Sequence, residues 1–342
     1  MSTSLAFIGL KGHQYVVLEA MEDVPDAHIV AVADDNPEAL KRVPGFPGAT
    51  AQTRTYLDYR ELLDNHTPDI VVEAGTDRDR ADVLVACAQR GLNLISEKPM
   101  AKDLESLARV RRAIEEAGVR FSMLITMRCH PHYLAMRQAI ADGAIGEVTQ
   151  AGGQKSYRLG ERPAWQRSRE TFGGIIPFVG IHVMDLMRWT SGREFAEVMA
   201  YASNVSHPEI GDLEDNACII ARLDNGASAA FRLDYCRPAA APSHGDDRLR
   251  IAGNRGVIEA NESGITLITH DEGPRELPLP TAVNFFADYV DALRNNREHF
   301  IPLSDCLRIT EVVLRARESA ETGQPVSLTY GSCLSPMDKE TL

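Results

Sequence analysis

Two short stretches of this sequence carry residues suited to proton transfer. Glu97-Lys98-Pro99 follows directly on the apolar run 92–95, and Gly180-Ile181-His182-Val183-Met184-Asp185 lies in the second half. A lysine held at the carboxyl end of a buried strand, with a histidine brought from another domain, can handle protons beside a hydride acceptor.

A third stretch is suited to an anion. A dinucleotide site needs a strand, a tight glycine turn and a helix whose N-terminal amides face the pyrophosphate. Phe7-Ile8-Gly9-Leu10-Lys11-Gly12-His13-Gln14 offers that context. Gly9 matches the first glycine of Gly-x-Gly-x-x-Gly. Lys11 occupies the second glycine position, Gln14 the third, and Gly12 is displaced by one. Either the turn is rebuilt around Gly12 or the dinucleotide sits differently. Gly9, Lys11, Gly12 and His13 are the contacts expected here. Asp34 ends the second apolar run, at about the separation of a carboxylate that binds the adenosine ribose. Such a carboxylate accepts both ribose hydroxyls and repels a 2′-phosphate. Asp35 and Asn36 follow where an arginine would favour NADP, so NAD is preferred. Asp34 and Asp35 can also be read as caps for a helix starting near Pro37.

These residues need elements to position them. With 342 residues the chain is comfortable as two domains, divided here as 1–124 and 125–342. In the first part, residues 5–8, 28–33, 69–73, 92–95 and 119–123 read as strands. Between them, 14–22, 58–64, 78–90 and 103–117 carry apolar residues at helical spacing. Alternating strand and helix implies a doubly wound parallel sheet covered on both faces. Beyond residue 124 a helix is expected over 131–142, then strands from 147 onward and over 195–205, 216–223, 227–235 and 248–252. Asp224-Asn225-Gly226 marks a hairpin. Helices over 282–295 and 304–322 close an α+β domain with an open, mostly antiparallel sheet, and the last twelve residues read as a loose tail.

Composition narrows the partners. A net charge of −13 argues against a nucleic-acid or anionic-membrane surface, which needs clustered Lys and Arg. Six cysteines without a Cys-x-x-Cys pair speak against structural zinc and a disulfide framework, so no metal is expected. The N-terminus does not read as a signal peptide and no segment approaches a membrane span, so a cytoplasmic protein is expected.

Together Glu97-Lys98-Pro99, the Gly180-to-Asp185 motif and this order of elements resemble the Gfo/Idh/MocA family of nicotinamide-dependent sugar and polyol dehydrogenases. The resemblance implies an N-terminal Rossmann domain and a C-terminal domain for substrate binding and oligomerisation. It implies that Lys98 bonds a substrate hydroxyl near the nicotinamide, that Glu97 holds the ammonium or the cofactor amide, and that a cis bond precedes Pro99. His182 is the second catalytic residue, and Asp185, one turn beyond, is placed to orient it or to meet substrate. The family aspartate four residues before the histidine is Phe178 here, so His182 must act with another partner or act weakly. Thr76 lies in the loop close to the nicotinamide. Arg80 falls about where the family has a histidine, and Asp77 and Arg80 read as solvated loop charges. Arg128, His130, Arg167 and His244 are the further substrate contacts, with Trp165 as an aromatic wall on the cofactor side. Arg128, Arg167 and His244 together would suit an acidic sugar.

The function implied is NAD-dependent oxidation of a sugar, polyol or related secondary alcohol by a homodimer or homotetramer paired through the C-terminal sheet. Two alternatives stand beside it: a non-catalytic nucleotide- or sugar-binding relative, and an NAD-dependent glycosidase.

Overall fold

The structure, a computed structural model, describes residues 2–329. The expected loose tail and Cys333 lie outside them. The first part of the chain runs β1 (Thr3–Ile8), α1 (Gln14–Ala20), β2 (Ala27–Ala33), α2 (Pro37–Leu40), β3 (Ala49–Tyr56), α3 (Tyr59–Asn65), β4 (Ile70–Glu73), α4 (Asp77–Ala88), β5 (Asn93–Ser96), α5 (Leu104–Ala117) and β6 (Phe121–Met123). The six strands form one parallel sheet in the order β3-β2-β1-β4-β5-β6. Leu5, Phe7, Ile70, Val72, Leu94 and Ile95 are fully enclosed, which is why the central strands read as continuous apolar runs rather than alternating ones. α5 shows how the layer closes: Asp103 caps its start through Ser106 N–H, Leu107, Val110 and Ile114 face inward, and left-handed Gly118 ends it. Strand order reverses between β1 and β4, so a crevice opens beyond their carboxyl ends, where ligands of such sheets bind.

The second part runs α6 (Pro131–Ala141), β7 (Val148–Tyr157), α7 (Ile181–Ser191), β8 (Phe195–Ser203), β9 (Asn216–Leu223), β10 (Ser228–Asp234), β11 (Gly245–Gly253), β12 (Gly256–Asn261), β13 (Gly264–Thr269), β14 (Arg275–Glu276), α8 (Phe285–Arg294), α9 (Leu303–Thr322) and β15 (Val326–Ser327). Its sheet is ordered β14-β13-β12-β11-β7-β10-β9-β8-β15 and is antiparallel except where β10 pairs with β7. α7 packs on β7 and β11, and α9 on β8. The opposite face carries exposed Tyr201 and Ile220 among polar neighbours.

Three features depart from expectation. β3 was not anticipated: Ala-Thr-Ala-Gln-Thr-Arg-Thr-Tyr has no apolar run because an edge strand is half wet. β12 to β14 and β15 were missed as well. The last helices also return to the first part of the chain. Tyr289 Oη donates to the carbonyls of Leu94 and Arg120 at 3.0 Å each, and Ser122 Oγ donates to Ile301 O at 3.0 Å. A division at 124/125 therefore leaves α8 and α9 packed against the parallel sheet. Among the described residues no helix is long and apolar enough to cross a membrane.

Candidate active site

The floor of the crevice is made by two glycine turns in contact. Gly9 has φ 85°, and a Cβ there would drive into the backbone of Gly75, so the turns after β1 and β4 close only around glycine. At Gly12 a Cβ would strike the Glu97 carboxylate, which reaches across to accept the His13 N–H and pairs with His13 Nδ1 at 2.6 Å. Glycine at 12 rather than 11 thus makes room for Glu97. Burial opposes the charge on Glu97, but His13, Lys98 and Arg80 hold it well below the usual carboxylate range. Lys11 leans to Asp35, Nζ to Oδ1 2.5 Å. Asp34 is buried and accepts Leu10 N–H at 2.7 Å and Asn36 N–H at 2.8 Å, while Asn36 itself caps α2.

Above this floor is a cleft of about 170 Å³, walled among others by Lys11, Gly12, His13, Glu97, Trp165 and Phe178. The tight turn, the strand-end carboxylate and the aromatic wall fit a dinucleotide. Lys11, Gly12 and His13 would meet its pyrophosphate side, Asp34 its ribose, and Glu97 and Trp165 its nicotinamide side.

The far end of the crevice is built by contact between the two parts of the chain. The Lys98–Pro99 bond is cis. Lys98 is 2% exposed; its Nζ donates to Phe178 O at 2.9 Å and lies 3.5 Å from the centre of the Phe178 ring. Burial lowers Lys98 to about 8, with Arg80 and Lys155 pushing the same way and Glu97 and Asp77 opposing. Phe178 packs edge-to-face on Phe172 and Trp165. It sits in a π-type turn (Ile176–Gly180) that leads into α7, a local widening common at functional sites. His182 follows in the first turn of α7. Its Nδ1 is buried with no hydrogen-bond partner among the described residues. Burial, then the charges of Lys98 and Lys155, push its pKa well below the ordinary value, so the ring is neutral at pH 7.

Asp77 and Arg80 are not solvated loop charges: each is 1% exposed. Arg80 donates to Glu73 Oε2, Asp77 Oδ1 and Pro99 O at 2.8 Å each, and to Gly75 O at 3.0 Å. Burial of this size is sustained only because every charge finds its opposite.

Arg128 and Asp185 require the same correction. Arg128 Nε and Nη2 grip Asp185 at 2.7 and 2.5 Å, and Nη1 holds Asp305 at 2.5 Å, all in the interior. Asp185 gives its carboxylate to Arg128 rather than to His182; with Arg128 it ties α7 and α9 to the segment after β6. Arg167 is exposed and bonds the Arg162 carbonyl, away from the cleft walls. Thr76 is the N-cap of α4 and gives its hydroxyl to Asp79 at 2.8 Å. The trio suggested for an acidic sugar is therefore not assembled.

A polar group that sequence reasoning missed lies on the sheet. The register of β7 and β11 sets Lys155 opposite Asp247, and the two pair, Lys155 being 2% exposed. Asp247 Oδ1 and Tyr235 Oη are buried without a hydrogen-bond partner among the described residues. Exposed His130 feels Lys155 and Asp247, and exposed His244 stacks on Tyr157 with ring centres 5.2 Å apart. Lys155 also acts on both Lys98 and His182 through its charge. The only signal in the sequence was a charge at alternate, inward positions of two strands.

Comparison with known proteins agrees with this architecture. Residues 3–125 match the model of an oxidoreductase family with an NAD-binding Rossmann fold, and residues 133–259 match the GFO/IDH/MocA C-terminal domain. Inositol 2-dehydrogenase of Rhizobium meliloti is 26% identical over 302 residues, 88% of each chain. D-apiose dehydrogenase of Paraburkholderia graminis is 27% identical over 332 residues, 91% of this chain and 86% of its own. A solved structure from Thermotoga maritima superposes with a TM-score of 0.89 at 32% identity, covering 95% of this chain and 100% of that one.

Proposed function

The chain belongs to the GFO/IDH/MocA family of NAD-binding oxidoreductases acting on CH–OH groups, and from that premise we propose that it oxidises one secondary hydroxyl of a sugar or polyol, with Lys98 as the base and His182 as its partner. Bound NAD supplies the hydride acceptor. The observation that carries this reading is the pairing of Lys98 with the Phe178 carbonyl one helical turn before His182, at the mouth of the dinucleotide crevice.

The two bases are unequal. His182, neutral and weakly basic, is suited to bond the substrate hydroxyl through a ring nitrogen, and a proton placed on it would leave quickly. Lys98, near 8, can hold that proton at neutral pH and release it above. Trp165, Phe172 and Phe178 exclude water from the same place. Lys155 and Asp247 offer a donor and an acceptor to a second hydroxyl of the same substrate.

NADH formation followed by absorbance over a panel of inositols, aldoses and pentoses tests the proposal. Turnover with at least one of them is expected, and Lys98→Ala should reduce it by about two to four orders of magnitude. Phe178 favours a second reading, a binding-only relative, because an aromatic ring covers Lys98 where a carboxylate was expected. Tight NAD binding with no turnover on any alcohol would favour that one.

A further inference from the structure

The geometry points to Arg80 as the positioning residue of the site: one guanidinium fixes both ends of the contact between Lys98 and Phe178, and so sets where the ammonium stands. The importance of that placement for catalysis rests on the dehydrogenase reading; the placement itself does not.

One end is held through Pro99. Arg80 Nη1 donates to the Pro99 carbonyl at 2.8 Å, on the residue that follows Lys98. The other end is held through Asp77. Its Oδ1 accepts from the same Nη1 at 2.8 Å, and its Oδ2 accepts the Gly173 N–H at 3.1 Å across the crevice. Gly173 begins the segment that becomes the π-type turn, where Phe178 N–H bonds the Gly174 carbonyl at 3.1 Å. A continuous polar path thus runs from the Lys98–Pro99 turn through Arg80 and Asp77 to the segment carrying Phe178, whose carbonyl receives Lys98 Nζ. Glu73 and the Gly75 carbonyl hold the remaining side of the fork, so the guanidinium cannot swing. A planar fork can serve four acceptors in fixed directions; a lysine could only offer a point charge.

The charges facing Lys98 come from every side. Glu97 lies beside it in the chain, Asp77 and Arg80 are on α4, Lys155 is on β7, and His182 is on α7. Arg80 disfavours a proton on Lys98 and also offsets the pull of Asp77, which favours one. Removing Arg80 acts twice in the same direction.

Lysine side chains labelled with carbon-13, titrated by NMR in the full chain without substrate, read this directly, the Lys98 signal being identified by its loss in Lys98→Ala. Arg80→Gln should raise the Lys98 midpoint by about one pH unit, and Arg80→Lys, which restores charge without the fork, should recover less than half of that shift; full recovery would mean that charge alone matters and overturns the positioning role. Should Arg80→Gln fail to fold because Glu73 is left buried and unpaired, Glu73→Gln/Arg80→Gln removes the pair together and should show a smaller rise in the same direction. An unmoved Lys98 midpoint in the folded glutamine variant overturns the proposal. Since no substrate enters the measurement, absence of dehydrogenase turnover would sink the functional reading alone.

Discussion

At the residue scale the proposed chemistry turns on how Lys98 and His182 divide one proton. Lys98 near 8 must lose its proton to act as a base, so oxidation should rise with pH through a limb at or somewhat below that value. His182→Ala should leave measurable turnover, whereas Lys98→Ala should leave close to none. Phe178→Asp supplies the missing carboxylate beside the ammonium. An anion there favours the charged lysine, so the limb should move to higher pH, while His182 gains a partner and becomes the stronger base. Loss of the aromatic stack on Trp165 and Phe172 should lower the melting temperature at the same time. A pH–rate profile and a thermal melt on the one variant check both; an unmoved limb would separate Phe178 from the proton chemistry. Lys98 and His182, the proposed bases, stand out in the sequence because strand-end and helix-start positions are local signals. Arg128 reads wrongly in the sequence for the opposite reason. A charge is buried only by its partners, and those of Arg128 lie 57 and 177 residues away in the chain.

At the element scale the Arg128 cluster is what joins the segment after β6 to α7 and α9. Arg188 adds a second guanidinium to Asp305 at 2.7 Å. Asp305 is held well below the usual carboxylate range, burial opposing and the two arginines prevailing. Arg128→Met leaves the Asp185 carboxylate buried and unpaired, a cost of about 3–5 kcal/mol. Urea unfolding should show a midpoint lowered accordingly. A loss below about 1 kcal/mol would mean that the cluster is wetter than its burial implies. Helix ends were largely legible: Asn284, Asp103 and Asp58 each cap the helix that follows. Edge strands were not, since β3 and β14 bury too little on either face to leave a pattern.

For the whole molecule the plan of two sheets was readable because strands covered on both faces need uninterrupted apolar residues, while a half-covered sheet alternates. That same alternation leaves the outer face of the second sheet bare, with Ile220 59% and Tyr201 64% exposed on β9 and β8. A second copy of the chain is expected to cover it. Light scattering at micromolar concentration should report a mass above one chain, and Ile220→Glu should lower it; a monomeric parent protein would remove the expectation.

The chain has two tryptophans, and they stand in opposite surroundings. Trp189 is sealed in the interior between Arg128, Arg137 and Phe300. Trp165 lines the crevice and touches the ring that rests on Lys98. Reduced nicotinamide absorbs where tryptophan emits, so the molecule carries its own optical reporter of occupancy. Quenching by NADH should persist in Trp189→Phe and fade in Trp165→Phe, which makes the crevice legible to light before any substrate is known.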